Sequence, residues 1–383
     1  MTRLQGTWIT AAAAQGAAAM LENAGFLALF VGGCVRNDLL GVPASDLDLS
    51  TDARPDDVMR LAKASGIRVV PTGIDHGTVT LVLDGVPVET TTFRKDIQTD
   101  GRHAVVAFAD RVEEDAARRD FTMNALYADA RGQVFDPLGS GISDLAARHV
   151  RFIGDASARL REDYLRALRF FRFHAWYGDA TEGPDADAVA AIAGDLEGLS
   201  RLSRERVGAE VCKLLLAPDP APSVATMRQA GVLTAVLPGA DDRALAPLVH
   251  LEDGRAPDAI RRLAAICAGA APDLRLSKAQ MRRLDLLRDA VGSGEAAAVL
   301  GYRHGADLAV DVLLLRAALL EQPMPPDFEN LAKRGAAARF PVVAADLMPA
   351  YSGAALGARL RGLEDAWIAS DFTLDRSALL SLP

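Results

Sequence analysis

Apolar and polar residues alternate with two different periods along the chain. Up to about residue 155, short apolar runs typical of strands alternate with segments whose apolar residues recur every three or four positions, as in helices. Beyond that point almost only the helical period remains, interrupted by proline-containing segments such as 218–222 and 323–326. The pattern predicts an α+β head followed by an all-helical remainder. In the head we expect strands at 26–31, 47–50, 67–71, 78–83 and 86–91, and helices at 10–24, 35–40, 55–65 and 113–127.

The segments 78–83 and 86–91 flank Asp84-Gly85, a residue pair typical of the type I′ turn that closes a β-hairpin. The register of a two-residue hairpin places Glu89 opposite Thr80. Glu89 is then a lone acid on an otherwise apolar strand, which makes it a candidate functional residue.

The polar stretch 93–103 contains Gly101 and has no clear period, so we expect a mobile loop there. Before the helix at 55–65, Asp52 is the candidate N-cap. The alanine-rich segment 10–20 lacks the basic start of a signal peptide, and we interpret it as a helix of the folded domain.

Length, charge and cysteine content limit the class of protein. At 383 residues the chain exceeds the size at which single cores stop growing, so two or three domains are expected. A net charge of −9 argues against a general nucleic-acid coat protein. Cys34, Cys212 and Cys267 are odd in number and lack zinc-site spacing, which favours a reducing cytoplasm. No apolar run reaches the roughly 18 residues that span a bilayer, and no feature indicates an obligate protein partner.

A glycine pair and two acids form the candidate chemistry of the head. Gly32-Gly33 follows the strand at 26–31, and a Gly-Gly turn leaves backbone N–H groups free to face an anion. Asp46 and Asp48 are two positions apart on the next strand, so both carboxylates point to the same side. Two like charges at this spacing are unfavourable without a cation. A phosphate-binding turn beside them indicates metal-dependent nucleotidyl transfer.

Oxygen ligands select hard ions, so Mg²⁺ is the metal expected at Asp46 and Asp48. Glu89 is the candidate for a third catalytic carboxylate, and its alternative role is a hydrogen bond to the backbone or to an arginine. The alternative for the aspartates is an ordinary acidic edge strand, which the upstream Gly-Gly-x-x-Arg36 pattern disfavours.

Arg118, Arg119, Asp120 and Asn124 fall within the helix expected at 113–127. An apolar stretch follows directly, which places these residues at the edge of a buried surface. An arginine in that setting suits a phosphate, and an asparagine suits a sugar hydroxyl. A solvated, charged helix face is the alternative interpretation.

Asp163, Arg166 and Arg169 recur every three residues on one expected helix. A carboxylate acceptor beside a guanidinium donor matches the pairing edge of cytosine or adenine, where an exocyclic amine lies beside an unprotonated ring nitrogen. Uracil and guanine present the reverse pattern. Such a pair therefore accepts C and A and rejects U and G, at about 1–3 kcal/mol per unsatisfied buried group. On an isolated helix, ordinary surface ion pairs have the same spacing.

Five motifs occur together and in a fixed order. This combination resembles the bacterial class II tRNA nucleotidyltransferases, the CCA-adding enzymes, over about the first half of the chain. Tyr164 is a departure, since many of these relatives have proline there. The motifs are Gly32-Gly33-x-x-Arg36, Asp46-x-Asp48, Arg118-Arg119-Asp120-Phe-Thr-x-Asn124, Asp136-Pro137-x-Gly139 and Glu162-Asp163-x-Leu-Arg166-x-x-Arg169.

The resemblance implies a head similar to the nucleotidyltransferase palm of DNA polymerase β, with a small mixed or antiparallel sheet. It implies a head at 1–140, a helical neck with a base-reading helix at 141–205, and a helical body and tail at 206–383 that bind RNA. The expected reaction is template-independent addition of C, C and A to the 3′ end of tRNA. CTP and ATP are the expected substrates, two Mg²⁺ ions the expected cofactor, and pyrophosphate the expected product.

Residue patterns and resemblance together define the expected site. The metal ligands are Asp46 and Asp48, and these two with Glu89 are the catalytic residues. The nucleotide-binding residues are Gly32, Gly33, Arg36, Arg119, Asp120, Asn124, Asp163, Arg166, Arg169 and Arg172.

Several alternatives remain open at this point. Bacterial poly(A) polymerases share the head motifs, although the segment 70–79 looks similar to the CCA-adding side. A partial enzyme adding only CC or only A, a non-catalytic RNA-binding protein, and transfer of a nucleotide to a protein or small molecule are the others. Candidate contacts to RNA phosphates are Arg201, Arg204, Arg206, Arg282 and Arg283, with Arg359 and Arg361 as further arginines of the helical part.

Overall fold

The computed structural model describes residues 2–44, 46–100, 103–269 and 273–383. The chain forms two compact units. The first comprises Met1–Pro238 with Asp273–Arg275, and the second comprises Gly239–Pro272 with Leu276–Pro383. Each unit is described separately below.

A seven-stranded mixed sheet forms the centre of the first unit, with strand order β3-β4-β5-β2-β1-β8-β9. Strands β2 and β5 pair in parallel, and the other neighbours pair antiparallel. The prediction of a small mixed sheet is confirmed. The strands are β1 (Leu29–Val31), β2 (Leu47–Thr51), β3 (Arg68–Gly73), β4 (Thr78–Leu83), β5 (Val86–Thr92), β6 (Arg94–Asp100), β7 (His103–Phe108), β8 (Tyr127–Ala128) and β9 (Val134–Phe135).

Helices cover the sheet and then continue alone, as the change of period predicts. The first helix packs closely on the sheet because its buried face consists largely of alanines, and a Cβ on Gly16 would lie 2.7 Å from the Leu83 side chain. The helices of this unit are α1 (Ala12–Glu22), α2 (Gly33–Leu39), α3 (Pro55–Ala64), α4 (Val112–Ala117), α5 (Gly141–Ala146), α6 (Ala156–Glu162), α7 (Leu165–Tyr177), α8 (Ala186–Ala193), α9 (Arg204–Leu215), α10 (Ala221–Gln229) and α11 (Val232–Val236).

The hairpin of β4 and β5 has the predicted register, with Thr80 opposite Glu89. Asp84 and Gly85 both have positive φ, at 50° and 81°, as a type I′ turn requires. The turn chemistry at these two positions therefore fixes which residues of the hairpin face each other.

The loop expected at 93–103 is wrong. Strands β6 and β7 pair there as a separate two-stranded sheet, while Gly101 lies outside the described residues. Phe93 is fully buried, and its carbonyl accepts a hydrogen bond from the Ala109 N–H at 2.7 Å. This anchor brings the two polar segments together, although their sequence lacks the apolar alternation of a strand.

The single helix expected at 113–127 is also wrong, because α4 ends at Ala117. Phe121 instead adopts an extended conformation and forms an isolated β-bridge with Phe152. Its ring packs against Phe152, Phe170 and Phe173 in the aromatic core that joins the sheet region to α7. Burial of this ring outweighs the local helical preference.

The N-cap expected at Asp52 is wrong as well. Arg54 is the cap residue of α3, which begins with Pro55 and has no side-chain cap hydrogen bond. The Asp52 carboxylate accepts instead from the Leu27 N–H at 2.8 Å. A proline in the first turn removes one donor that a cap would otherwise satisfy.

The second unit contains helices throughout the residues that the structure describes. Helices α15 and α17 approach closely at two glycines, since a Cβ on Gly301 or Gly335 would lie 2.1 or 1.8 Å from a backbone oxygen of the other helix. Among the described residues, no helix has the length and apolar character required to cross a membrane. The helices are α12 (Leu245–Leu251), α13 (Ala259–Ile266), α14 (Lys278–Gly292), α15 (Ala297–His304), α16 (Ala306–Leu320), α17 (Phe328–Ala337), α18 (Gly353–Ala369) and α19 (Arg376–Leu380).

An ionic network lies inside this second unit. The Glu252 carboxylate accepts from Arg261 at 2.7 Å and from Arg262 at 2.6 Å. Arg261 also donates to Asp311 at 2.8 Å, and all four side chains are at least 92% buried. The opposing charges sit between α12, α13 and α16, where each buried guanidinium is matched by a carboxylate.

Candidate active site

The glycine turn predicted from the sequence lies between β1 and α2. Gly32 has φ 73° and ψ −120°, a conformation that residues with a Cβ avoid. A Cβ at this position would lie 3.6 Å from Nη1 of Arg119. The turn therefore requires glycine for its backbone conformation, and it brings the backbone close to a cationic side chain.

The sheet register brings the acids to this turn. Phe30 pairs with Leu49 in the antiparallel β1–β2 ladder, so the next step places Val31 opposite Asp48. Asp48 is also paired with Glu89 in the parallel β2–β5 ladder. Asp46 precedes β2 by one residue and is exposed. We refer to Asp46, Asp48 and Glu89 as the carboxylate cluster.

Electrostatics in the carboxylate cluster are unfavourable for the ionised state of Asp48. Burial, followed by the charge of Glu89, raises its pKa to about 6, and Asp46 adds to the effect. Arg119 opposes the rise and is the one cation that acts appreciably on this carboxyl. An additional positive charge at this position would relieve the repulsion.

The donor set fits a hard divalent cation that also binds substrate oxygens. The described residues contain no cluster of three or more His, Cys, Asp or Glu side chains arranged to hold a metal ion by themselves. Mg²⁺ is commonly bound by one or two carboxylates together with substrate phosphates, rather than by a cage of protein groups. The pair Asp46 and Asp48 beside a phosphate-sized turn matches that kind of site.

Arg119 is held at the site by residues that the sequence analysis missed. It donates to the Tyr127 hydroxyl at 3.0 Å, to Asp115 at 3.0 Å and to the Ser50 hydroxyl at 3.3 Å. Asp115 is fully buried and also binds Arg118. The only available sequence signal was the spacing of Asp115 three and four residues before the arginines.

The Asp115 carboxylate remains ionised in this environment. Burial alone would raise its pKa, but Arg119, Arg118 and the Tyr127 hydroxyl outweigh burial and hold the pKa at about 2. Asp115 thus supplies a permanent negative charge that orients the two arginines. Arg119 in turn lies between this buried acid and the carboxylate cluster.

Asp120 and Asn124 are buried and contact protein groups. Asp120 accepts from Arg169 Nε at 2.8 Å, from the Asn124 amide at 2.9 Å and from the Phe121 N–H at 2.9 Å. Burial opposes ionisation, but Arg169 and these hydrogen bonds hold the pKa of Asp120 at about 2. This carboxylate therefore anchors Arg169 of α7 to the sheet region.

Arg36 is more deeply enclosed than its predicted role at an anion site implies. It is 6% exposed, and it donates to Asn124 at 2.5 Å and to the Tyr177 hydroxyl at 2.8 Å. Its guanidinium also lies 4.1 Å from the Tyr177 ring centroid. Tyr177, at the end of α7, is a second residue that sequence reasoning missed.

The predicted base-reading residues lie where α7 begins. Asp163 accepts from Arg206 at 2.6 Å and from the Leu165 N–H at 3.1 Å. Arg166 forms an ion pair with Glu162 and donates to the Arg118 carbonyl at 3.2 Å. Each predicted reader is therefore held by its own partner, at the junction of α6 and α7.

The last predicted nucleotide contact, Arg172, donates to Glu210 of α9 at 2.6 Å. Glu210 is 5% exposed, so this pair is an internal link between α7 and α9. The predicted RNA-binding arginines divide into two groups. Arg201, Arg204 and Arg282 are exposed, whereas Arg206 pairs with Asp163, Arg283 pairs with Asp258 and Asp311 at 2.5 Å, and Arg359 donates to the carbonyls of Leu382 and Pro383.

Two family models match the chain. The Poly A polymerase head domain matches residues 28–151, which include the glycine turn and the carboxylate cluster. A model described as the probable RNA and SrmB-binding site of polymerase A matches residues 184–243. Both matches lie mainly in the first unit.

Curated relatives carry the same family name over different lengths. The CCA-adding enzyme of Geobacillus thermodenitrificans is 34% identical over 340 residues, covering 83% of this chain and 80% of that protein. The human mitochondrial CCA tRNA nucleotidyltransferase 1 is 41% identical over 186 residues. The alignment covers only 43% of the human protein, and it covers 42% of the mouse one.

Solved structures support the relationship over nearly the whole chain. The structure described as Bacillus stearothermophilus CCA-adding enzyme in complex with CTP has a TM-score of 0.72 and 27% sequence identity. It covers 94% of this chain and 92% of that one. A Thermotoga maritima CCA-adding enzyme complexed with tRNA, at 17% identity and a TM-score of 0.68, shows the same fold. The chain belongs to the CCA-adding enzyme family of tRNA nucleotidyltransferases.

Proposed function

We propose that this protein adds C, C and A in turn to the 3′ end of tRNA, using CTP and ATP and releasing pyrophosphate. The observation that carries the proposal is the carboxylate cluster, in which sheet register places Asp48 beside Glu89 and next to the glycine turn. Family membership supplies the reaction class, and the relatives of known structure include complexes named for CTP, ATP and tRNA.

In the proposed reaction, the 3′-hydroxyl oxygen of the RNA attacks the α-phosphorus of the nucleotide in line. A new P–O bond forms to the RNA, and the bond to the bridging oxygen of pyrophosphate breaks. Asp46 and Asp48 would hold Mg²⁺, which supplies charge neutralisation and activation of the hydroxyl when bound. The protein contributes position and electrostatics rather than a covalent intermediate.

Arg119 and the glycine turn are the proposed triphosphate contacts. Arg119 is rigidly held by Asp115 and Tyr127, and its Nη1 lies on the side of Gly32. Pre-oriented cations stabilise developing phosphate charge without having to reorganise during the reaction. Glu89 is the proposed third carboxylate, since it directly neighbours Asp48 across the parallel ladder.

Base choice is assigned to Asp163 and Arg166, with Arg169 beside them. A carboxylate acceptor and a guanidinium donor match the pairing edges of C and A. Asp163 offers this acceptor only if it shares or leaves its contact with Arg206. Nucleotide entry is therefore expected to exchange one charge-assisted hydrogen bond for another of similar strength.

Exposed arginines of the helical part are proposed to contact tRNA phosphates, among them Arg201, Arg204 and Arg282. Because the chain is acidic overall, such contacts must come from local patches. The described cysteines are all free thiols, which agrees with the reducing cytoplasm that we propose as the location.

One assay tests the proposal. Purified protein with Mg²⁺ is given tRNAs that end before the tail, after one C and after two, each with a single nucleotide. We expect C on the first two substrates, one A on the third, and no extension from UTP or GTP. Asp48→Asn is the matched inactive control. Long A tails from ATP alone would instead identify a poly(A) polymerase, and addition on only one substrate would identify a partial enzyme.

A further inference from the structure

One face of α7 contacts the site region at two points separated by two helical turns. Arg169, Phe173 and Tyr177 lie four residues apart and so share this face. At one point Arg169 donates to Asp120 at 2.8 Å. At the other, the Tyr177 hydroxyl accepts from Arg36 at 2.8 Å. We refer to Arg169, Phe173 and Tyr177 as the anchor face.

Arg36 is enclosed by the anchor face. Its guanidinium carbon lies 4.1 Å from the ring centroid of Tyr177 and 5.1 Å from that of Phe173. Its remaining described donors reach Asn37 and Asn124. A cation stacked on aromatic rings and shielded from water is strongly held. The side chain is therefore committed to joining α2 and α7.

The two contact points are joined to each other. Asn124 accepts from Arg36 through its oxygen and donates to Asp120 through its nitrogen. A continuous series of contacts thus runs from Tyr177 through Arg36, Asn124 and Asp120 to Arg169, and both of its ends are on α7. No member of the series is more than 31% exposed where its side-chain exposure enters an ion pair, and Arg36, Asp120 and Asn124 are buried.

We propose that Tyr177 is a positioning residue that sets the distance between the phosphate subsite and the base subsite. The inference rests on the proposed function. Helix α2 begins at the glycine turn, and α7 begins at the base-reading residues. By holding Arg36, Tyr177 fixes α2 against α7, so a nucleotide with its triphosphate on the turn meets the readers at one set spacing.

This role predicts a specific pattern of binding. A ligand that occupies only the phosphate subsite does not depend on the spacing, whereas a complete nucleotide does. For Tyr177→Leu we expect CTP affinity to fall about tenfold while inorganic tripolyphosphate affinity changes less than about twofold, because only CTP spans both subsites. The preference for CTP over UTP should shrink by a similar factor.

Equilibrium binding of CTP, UTP and tripolyphosphate to the full chain with Mg²⁺ provides the measurement. Tyr177→Phe keeps the stacked ring and removes the hydrogen bond, so a smaller loss of about threefold, again limited to CTP, is expected. It also carries the test if Tyr177→Leu does not fold. Tyr302→Phe is the matched control, since it removes a tyrosine hydroxyl bonded to Glu364 in the second unit.

Equal losses for CTP and tripolyphosphate would overturn the inference, because Tyr177 would then only support the turn. Unchanged CTP binding in both variants would overturn it as well. A wild-type protein with no preference for CTP over UTP would contradict the proposed function itself, which separates the two failures.

Discussion

Both units bury arginines against acids, but only one of the two networks has an excess of charge. In the second unit, Glu252 and Asp311 face Arg261 and Arg262, and these carboxylates and guanidiniums satisfy one another. In the first unit, Asp115 and Asp120 are matched in the same way by arginines. The carboxylate cluster beside them is not matched, as the raised pKa of Asp48 shows.

The difference separates a structural network from a functional one. Matched buried charges hold a fold in one arrangement, and removing a single partner is costly. Unmatched charges cost stability in the free protein and are retained where a ligand supplies the missing charge. The comparison predicts opposite consequences for mutating an acid in the two regions.

The largest effect is expected for Asp48→Asn. Activity should fall by about a thousandfold, because a ligand for the metal and a source of transition-state charge stabilisation are both lost. The metal-free fold should become more stable by about 1–2 kcal/mol at pH 7, because the neutral amide removes the repulsion that raises the pKa of Asp48. Nucleotide incorporation and thermal unfolding without Mg²⁺ measure the two effects. Retained activity would remove the basis of the metal assignment.

Glu252→Ala should act in the opposite direction. It leaves two buried guanidiniums without their shared carboxylate, so the free energy of unfolding should drop by about 3–5 kcal/mol. Denaturant unfolding measures the change. Asp241→Asn is the matched control, because its ion pair with Arg243 is exposed and should contribute at most about 1 kcal/mol. Equal effects of the two variants would contradict the distinction between the networks.

Asp163→Ala sharpens the comparison at the base subsite. Rejection of UTP and GTP should weaken by about tenfold, since the acceptor that the wrong bases fail to satisfy is gone. Loss of turnover with CTP should be smaller than in Asp48→Asn. Single-nucleotide incorporation with each of the four triphosphates is the readout, and an unaltered order of nucleotide preference would refute the assignment.

The smallest effect concerns two windows of pH in the metal-free protein. The pKa of Asp115 is lowered from 3.8 to about 2, so its stabilising contribution is present above pH 4 and is lost as the pH falls towards 2. The pKa of Asp48 is raised from 3.8 to about 6, so its contribution is present below pH 4 and is lost as the pH rises through 6. Unfolding free energies between pH 2 and 8 should show both slopes, and Asp48→Asn should abolish only the second.

Local sequence signals predicted those parts of the fold that depend on near neighbours. The Asp84-Gly85 turn fixed the hairpin register, and the period-two spacing of Asp46 and Asp48 indicated their place beside the glycine turn. The helical period after residue 155 predicted the remainder correctly. In each case the residues that determine the structure are adjacent or nearly so in the chain.

The failures involve contacts between distant segments. Phe121 leaves the expected helix because its ring packs with Phe152 and with α7, which no local pattern reveals. Tyr177 and Glu210 were missed because their partners, Arg36 and Arg172, are 141 and 38 residues away. The predicted base readers were found by spacing, but their own partners could not be.

The parallel pairing of β2 and β5 has a practical consequence for altering the protein. Asp48 and Glu89 are aligned by a ladder that runs from Val88 to Thr92, beyond the Asp84-Gly85 turn. A Cβ on Gly85 would meet nothing within 4 Å, and Val86 is 41% exposed. Extra residues inserted at this tip would extend into open solvent while the acids keep their alignment, which makes the turn a suitable attachment point for a label.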